Sequence, residues 1–282
     1  MALPTPVNGQ ITDSITQANV GVIGCAGRVG RMLVAEVLAH DGARLSGAVE
    51  EPGSDAIGSD AGLLAGCGEA GVIVGDDPEA LFAASQAVLE FTSPEASLAH
   101  AALAAKTRCI HIIGTTGLDG DQEAALAAAA EQTAIVWAPN MSLGVTLLMS
   151  LVERVAAALD DDYDIEIFEI HHRHKVDAPS GTALGLGRAA ARGRGVELDD
   201  VARRGRDGIT GARRRGDIGF ASLRAGDVVG DHSVTFAADG ERIELTHRAS
   251  DRRIYTRGAL RAALWARGKG PGLYSMADVL GI

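Results

Sequence analysis

The segment 171–183, HHRHKVDAPSGTA, combines three histidines and a lysine with a proline and several small residues. Histidines titrate near neutral pH, and lysine carries a compact positive charge with transferable protons. Ser180 is predicted to cap the helix that follows, so that the backbone N–H groups of Gly181 and Thr182 point outward at its positive end. The segment therefore predicts a site that grips a carboxylate and delivers a proton beside it.

Other interpretations of the same segment stay open. Histidine clusters can bind metals, but His171 and His172 would point to opposite faces of a continuing strand. Since no acidic or cysteine ligand is obvious nearby, no metal site is predicted. Ser180 and Thr182 could serve only as helix caps, and Asp177 could form a turn or orient a histidine.

A glycine turn near the N-terminus predicts a nucleotide site. Residues 20–23 are typical of a buried strand, Gly24, Gly27 and Gly30 form the turn, and apolar residues then recur at helical spacing. In such a unit a dinucleotide pyrophosphate can approach bare backbone at the positive end of the helix. The spacing is GxxGxxG rather than GxGxxG, so a glycine turn without a ligand stays open.

Two acidic residues follow the next apolar segment, ARLSGAVEE. Glu50 lies about twenty residues after the last glycine of the turn, where dinucleotide folds place an acid on the ribose hydroxyls. Glu51 would repel the 2'-phosphate of NADP, unless it is merely solvated. Arg28 and Arg31 could offset that repulsion by reaching the phosphate.

The order of apolar runs and helical segments predicts the architecture. The runs GVIV, QAVLEFT, RCIHIIGTTG and TAIVWAPN alternate with helical segments, which indicates a doubly wound parallel sheet. Polar or small residues end three runs, at 91–92, 114–116 and 138–141, and predict a cofactor crevice there. Beyond residue 142 several strands joined by turns predict an antiparallel or mixed sheet, and a last helix is expected to return to the first domain.

Composition limits the functional classes. A chain of 282 residues favours two domains, and a formal net charge of −11 argues against nucleic-acid binding. The basic run 203–216 is glycine-punctuated and has no aromatic residue for stacking. Three scattered cysteines indicate neither a disulfide framework nor a thiolate zinc site. Without a recognisable signal peptide or spanning segment, a cytoplasmic protein without a membrane partner is expected.

Seven segments closely resemble the dihydrodipicolinate reductase family over nearly the whole chain: HHRHKVDAPSGTA, GCAGRVGR, EFTSPE, IGTTG, APNMSLGV, IGFASLRAGDVVGDH and LYSMADVL. The resemblance implies an α/β protein with a Rossmann-like doubly wound parallel sheet domain plus a second α+β domain for substrate binding and oligomerisation. We place a disordered lead at 1–19, the nucleotide domain at 20–141 completed by 253–282, and the second domain at 142–252.

The resemblance also implies residue roles. His171 matches the family's catalytic acid/base and Lys175 its proton donor, and the substrate contacts are His172, Ser180, Gly181 and Thr182. The cofactor contacts fall into three groups, which are Gly24, Cys25, Ala26, Gly27, Arg28 and Val29 on the pyrophosphate, Glu50 on the ribose, and Gly114, Thr115, Thr116, Ala138, Pro139, Asn140 and Met141 along the nicotinamide half.

The implied reaction is reduction of 4-hydroxy-tetrahydrodipicolinate, a dicarboxylate of the diaminopimelate route to lysine, and the implied assembly is a homotetramer. Many members carry an arginine in place of Glu51, so NADH is expected as the preferred cofactor and NADPH as the second. Two alternatives stay open. A nicotinamide dehydrogenase acting on an amino acid should lack the histidine and PSGT constellation, and a non-enzymatic nucleotide sensor would not need Lys175.

Overall fold

Helices and strands alternate through the first half of the chain in a computed structural model that describes residues 17–282. Within these residues the strands are β1 (Ala18–Ile23), β2 (Ala43–Val49), β3 (Ala87–Glu90), β4 (Ile110–Ile113), β5 (Ala134–Trp137), β6 (Asp164–His171), β7 (Ala202–Arg203), β8 (Ile218–Arg224), β9 (Gly230–Ala238), β10 (Glu241–Ala249) and β11 (Gly272–Tyr274). The helices are α1 (Arg28–Ala39), α2 (Ala61–Leu64), α3 (Pro78–Ala84), α4 (Pro94–Thr107), α5 (Gly120–Ala130), α6 (Leu143–Ala158), α7 (Gly181–Arg194), α8 (Leu198–Val201), α9 (Arg253–Ala266) and α10 (Met276–Leu280).

The first sheet has six strands in the order β11-β5-β4-β3-β1-β2, and every adjacent pair is parallel. β3 is buried at every residue, and β1, β4 and β5 are buried at all residues but one, which is why these strands appear in the sequence as apolar runs. The predicted doubly wound parallel sheet is confirmed. Because all strands run the same way, the loops that follow them gather at one edge of the sheet.

Glycine is required at two positions of the turn between β1 and α1. Gly24 has a φ of +70°, in the left-handed region that favours glycine. A Cβ atom at Gly30 would lie 1.9 Å from the carbonyl oxygen of Gly24. The first turn of α1 therefore packs directly against the carboxyl end of β1.

The second sheet is mixed, with the order β10-β9-β6-β8-β7. β6 pairs antiparallel with β9 and parallel with β8, so the sheet is mixed, which is one of the two arrangements predicted from the sequence. The helices α6 and α7 cover one face, where Ile167, Phe236 and Leu186 are fully buried. On the opposite face Phe168 and Leu223 remain 40% and 49% exposed.

The end of the chain returns to the first sheet. β11 pairs with β5, and α9 packs against α1 within the core of the first sheet. A Cβ atom at Gly258 in α9 would lie 1.7 Å from the carbonyl oxygen of Met141. The last long helix therefore packs on the first sheet, in close contact with the backbone of Met141, and the domain bounds themselves stay a prediction.

Two predictions at the edges of the first sheet need correction. Of the predicted lead 1–19, residues 1–16 lie outside the described residues, and residues 18 and 19 belong to β1. The run GVIV, residues 71–74, forms an isolated bridge at Ile73 instead of a strand, and a second bridge lies just beyond it at Gly75. Only Val74 in that run is buried and Gly71 has a φ of +70°, so the backbone leaves the strand conformation.

Two arginines of the loop 203–216 form ion pairs with acids on β6. Arg206 and Arg213 both contact Glu166 of β6, at 2.8 and 2.9 Å, and Arg213 also contacts Asp164 at 2.6 Å. These charges are therefore engaged within the protein. Among residues 17–282 no helix combines the length and the apolar character needed to cross a bilayer.

Replacing Gly30 by alanine should lower the free energy of unfolding by about 1–3 kcal/mol or more, because the new Cβ would meet backbone that cannot give way. Urea denaturation measures the change. Gly120→Ala is the matched control, since no atom lies within 4 Å of its Cβ position in α5. The control should keep or gain stability. A Gly30→Ala variant as stable as the wild type would contradict the close packing.

Candidate active site

A carboxylate at the end of β2 holds the glycine turn. Glu50 Oε1 accepts a hydrogen bond from the N–H of Ala26 at 2.6 Å, and Oε2 accepts from the N–H of Glu51 at 3.2 Å. Both oxygens keep further lone pairs for other donors. Beside this carboxylate lies a cavity of about 730 Å³, which Gly24, Gly27, Glu50 and Glu51 line together with the loop after β3.

The geometry of this cavity fits a dinucleotide. Gly27 caps α1 without a side-chain hydrogen bond, and the first turn carries no acidic residue, so the positive end of the helix is open to an anion. Gly30 lets the helix start approach the turn, and Glu50 is fixed where a pair of hydroxyls would find an acceptor. These residues would hold the pyrophosphate and the ribose of a bound dinucleotide.

Several residues predicted around the turn face elsewhere. Arg28 lines a second cavity, of about 1150 Å³, together with His172 and Arg252. Arg31 donates from Nε to the carbonyl oxygen of Ala26 at 2.8 Å. Neither arginine lines the cavity beside Glu50 and Glu51. Their predicted reach to a 2'-phosphate therefore finds no support in this geometry.

Cys25 and Val29 contribute to the core rather than to a cavity surface. Cys25 is buried, and burial together with the charge of Glu50 raises the pKa of its thiol to about 11. Val29 packs on the core of the first sheet. Their predicted cofactor contacts can involve only the backbone of the turn, and they stay predictions.

The two loops predicted to contact the nicotinamide half of the cofactor, 114–116 and 138–141, have different surroundings. Gly114 lies against the ring of Phe91, since a Cβ there would be 2.1 Å from Phe91 Cε1. Thr115 is buried, whereas Thr116 is exposed. The loop after β5 borders a separate cavity of about 660 Å³ against α6 and α10, through Ala138, Pro139 and Asn140.

Met141 differs from its predicted setting. Its side chain is 1% exposed and belongs to the core under α9. A role along the nicotinamide can therefore involve its backbone but not its side chain.

His171 ends β6 and is held by a buried acid. Glu169, two residues earlier on the same face, bonds Nδ1 of His171. The same carboxylate accepts from Arg224 on the neighbouring β8 at 2.9 and 3.0 Å, and from the N–H of Ser180 at 3.3 Å. The bond to Nδ1 fixes the ring orientation and leaves Nε2 as the chemically available nitrogen.

Burial and charge set the protonation of this cluster. Burial lowers the pKa of His171 below its ordinary value, although the hydrogen bond that its Nδ1 donates to Glu169 opposes the shift. Its neighbour His232, whose ring centroid lies 5.0 Å away, has its pKa lowered to about 4 by burial and by His171. For Glu169, burial acts to raise the pKa, but Arg224 and His171 outweigh it and lower it. His171 is accordingly a neutral base held by an ionised acid near pH 7.

The remaining residues of the histidine segment lie in different surroundings. Lys175 is 22% exposed in its side chain and pairs with Asp177 at 2.8 Å, which lowers the pKa of that acid. Asp177 therefore forms an ion pair with Lys175, a role that was not predicted from the sequence. His172 faces the large cavity that Arg28 also lines.

The start of α7 provides backbone donors beside the histidine segment. Ser180 caps the helix as predicted, its Oγ accepting from the N–H of Ala183 at 3.2 Å and lying 3.2 Å from Nε2 of His232. Because its N–H and hydroxyl both have internal partners, a substrate contact by Ser180 stays a prediction. Among the described residues the N–H groups of Gly181 and Thr182 have no hydrogen-bond acceptor.

One hydrogen bond joins this helix start to the first sheet. Asn140 donates from Nδ2 to Oγ1 of Thr182 at 3.0 Å, and its own Oδ1 accepts from the N–H of Ser142 at 2.9 Å. The loop after β5 and the first turn of α7 therefore meet at Thr182.

Sequence reasoning missed three residues that hold the site, namely Glu169, Arg224 and His232. For Glu169 a signal was present, because residues i and i+2 of a strand share a face. Arg224 and His232 come from other strands, and their contacts depend on the pairing of β6 with β8 and β9.

The chain matches two family models over nearly all of its described length. Residues 18–141 match the family described as "Dihydrodipicolinate reductase, N-terminus", and residues 144–280 match "Dihydrodipicolinate reductase, C-terminus".

Curated relatives agree with these matches. The 4-hydroxy-tetrahydrodipicolinate reductases of Dinoroseobacter shibae and Ruegeria pomeroyi are each 61% identical over 261 residues, covering 93% of this chain and 97% of theirs. Among solved structures, the dipicolinate-bound dihydrodipicolinate reductase from Paenisporosarcina sp. TG-14 aligns with a TM-score of 0.75 at 23% identity, covering 93% of this chain and 99% of that one. That structural likeness shows the fold.

Glu169→Gln should lower the pKa of His171 further, because the carboxylate that favours the imidazolium is removed while the charge of Arg224 remains. A histidine-detected NMR titration measures the pKa directly. The matched control is Glu166→Gln, which removes a carboxylate from the opposite face of the same strand and should leave His171 unchanged. An unchanged His171 pKa in the Glu169 variant would show that this acid does not set its protonation.

Proposed function

The chain belongs to the dihydrodipicolinate reductase family, and from this premise we propose that it reduces 4-hydroxy-tetrahydrodipicolinate to tetrahydrodipicolinate with a reduced pyridine nucleotide. The observation that carries the proposal is the grouping of His171, Lys175 and the open first turn of α7 at the end of β6. This reaction belongs to the diaminopimelate route of lysine biosynthesis.

In this proposal the substrate carboxylates bind at the start of α7. The N–H groups of Gly181 and Thr182 offer two backbone donors at the positive end of the helix, and the hydroxyl of Thr182 offers a third. His172, on the wall of the large cavity, supplies a further polar contact. A dicarboxylate should bind to these donors more tightly than a neutral compound does, because hydrogen bonds to a charged acceptor are stronger.

The proton transfers are assigned to Lys175 and His171. The substrate loses water, made of its hydroxyl and one ring hydrogen, and then gains one hydride and one proton; the reduced nicotinamide, when bound, would supply the hydride. Lys175 delivers the proton to the ring. Nε2 of His171, unprotonated in the neutral imidazole that Glu169 holds, accepts a proton first and can then return it, so His171 serves as base and then as acid. For Lys175 to act it must exchange its contact with Asp177 for one with the substrate.

The N-terminal domain binds a pyridine nucleotide, and we propose NADH as the preferred form with NADPH as the second. Glu50 and Glu51 line the same cavity, and the 2'-phosphate of NADPH would face both negative charges. Arg28 lines a different cavity and Arg31 donates to the carbonyl oxygen of Ala26, so neither is placed to offset the repulsion.

The domain roles, the assembly and the location are also proposals. We assign residues 20–141 with 253–282 to the nucleotide and 142–252 to the substrate and to a homotetramer. The uncovered face of the second sheet supports self-association, because Phe168 and Leu223 lie exposed on neighbouring strands of that face. A cytoplasmic location follows from the biosynthetic role proposed.

The test of the function is loss of NADH absorbance with substrate formed in situ from pyruvate and aspartate semialdehyde. Within that assay Lys175→Ala should lower turnover by about 100-fold to 10,000-fold, the usual cost of losing a general acid. NADH binding, measured by calorimetry, should change little because the lysine lies in the second domain.

Lys106→Ala is the control for this variant, since Lys106 is an exposed surface residue of α4 paired with Glu79. It should keep wild-type turnover. A Lys175→Ala enzyme with near-normal turnover would remove the lysine from the mechanism, and a wild type without activity would overturn the proposed function itself.

Glu51→Arg should shift cofactor choice toward NADPH, because a repelled phosphate would then meet an opposite charge. Coulomb energies at contact distance in water predict a change of about tenfold or more in the ratio of specificity constants. The control is Asp55→Arg, which makes the same charge change on an exposed residue outside the cavity. Equal ratios in both variants, or a wild type that already favours NADPH, would contradict the assignment.

A further inference from the structure

A second buried carboxylate lies beneath the dinucleotide cavity and takes no part in the chemistry assigned above. Glu90 is the last residue of β3 and has no exposed surface. Its carboxylate is ionised, because hydrogen bonds from His100 and His111 outweigh burial and lower its pKa. An ionised acid with no access to water is costly unless every oxygen is bonded, so its donors must be held in place.

The donors to Glu90 come from three separate elements. His100 of α4 bonds through Nδ1 at 2.8 Å, and His111 of β4 bonds through Nε2 at 2.6 Å. The hydroxyls of Ser97, at 3.2 Å, and of Thr92 in the loop after β3 complete the set. One carboxylate therefore ties α4, β4 and the loop between β3 and α4 together.

The network extends from Glu90 to the IGTTG loop. Ser97 Oγ lies 2.8 Å from Oγ1 of Thr115 as well as 3.2 Å from Glu90, and a hydroxyl can donate one such bond while accepting another. Oγ1 of Thr115 also accepts from the N–H of Thr92 at 3.0 Å. The loops after β3 and β4 are thereby joined to each other and to the same acid.

These two loops form the part of the crevice where a dinucleotide would cross the sheet. Phe91, Thr92 and Ser93 line the cavity beside Glu50, and the ring of Phe91 lies against Gly114. Because the space between Phe91 and Gly114 leaves no room for even a methyl group, a small change in loop spacing would alter the cavity wall.

We propose that Glu90 is a positioning residue for nucleotide binding, which sets the spacing of the loops 91–93 and 114–116 through Ser97 and Thr115. This inference rests on the proposed function for the identity of the nucleotide, and it gives a role to Glu90 and Ser97, to which that proposal gives none. Because the buried carboxylate of Glu90 needs these hydrogen bonds, the two loops are already ordered before a ligand binds. The entropic cost of ordering them is therefore part of folding and does not weaken nucleotide binding.

Two variants test the role by calorimetric titration with NADH. Glu90→Gln keeps the shape, but its amide nitrogen cannot accept from the surrounding donors, so the Kd for NADH should rise about tenfold or more. Ser97→Ala keeps the carboxylate and cuts the link to Thr115, and should raise the Kd by a smaller factor, about threefold to tenfold. In the steady state, KM for NADH should rise in both, with a lesser change in kcat.

Glu79→Gln is the matched control, because Glu79 is an exposed acid on α3 whose partner is Lys106. Its Kd for NADH should equal that of the wild type. Thermal melting is recorded for every variant, since a purely structural role predicts a lower melting temperature with an unchanged Kd in the folded protein.

The outcomes separate this inference from the proposed function. Unchanged NADH affinity in folded Ser97→Ala and Glu90→Gln would overturn the positioning role, and if Glu90→Gln does not fold, Ser97→Ala decides alone. A wild type that binds NADH but does not reduce 4-hydroxy-tetrahydrodipicolinate would overturn the function while leaving the affinity test intact.

Discussion

A carboxylate that leaves water must be met by hydrogen-bond donors, and this requirement arranges both halves of the molecule. Glu50, Glu90 and Glu169 each lie at or beside the carboxyl end of a strand. The first takes its donors from the glycine turn, the second from α4 and β4, and the third from β8 and the start of α7. The loops around the cavities are thus fixed to the sheets by acids as well as by apolar packing.

Most of the fold could be predicted because strands buried on both faces are apolar throughout. The strands β1, β3, β4 and β5 appear in the sequence as apolar runs for that reason. The run GVIV has the same composition, but only Val74 is buried, and composition cannot reveal that. β11 has three residues and no hydrophobic pattern. It pairs with β5 because α9 brings the end of the chain back to the first sheet, a tertiary contact that the local sequence does not encode.

The site was predictable where its residues are close in sequence and not where they meet through strand pairing. Ser180 could be identified as a cap from its own segment, and the period of a strand already placed Glu169 and His171 on one face. Arg224 lies 55 residues from Glu169, and only the register of β6 against β8 brings them together. The cavity that the side chain of Arg28 lines depends on the rotation of α1 about its axis, and no local sequence pattern determines that rotation.

The hydrogen bond between Asn140 and Thr182 joins the proposed nucleotide half to the proposed substrate half, so it is a route by which binding in one could affect the other. A hydroxyl that accepts from an amide becomes a better donor, so under the proposed function a nucleotide held by the loop after β5 would strengthen the hydrogen bond of Thr182 to a substrate carboxylate. Linkage makes the effect reciprocal: the factor by which nucleotide raises affinity for the dicarboxylate is the factor by which the dicarboxylate raises affinity for nucleotide. Under the proposed function, each ligand would therefore raise the fraction of protein that holds the other, and the ternary complex would gain stability through a single hydrogen bond.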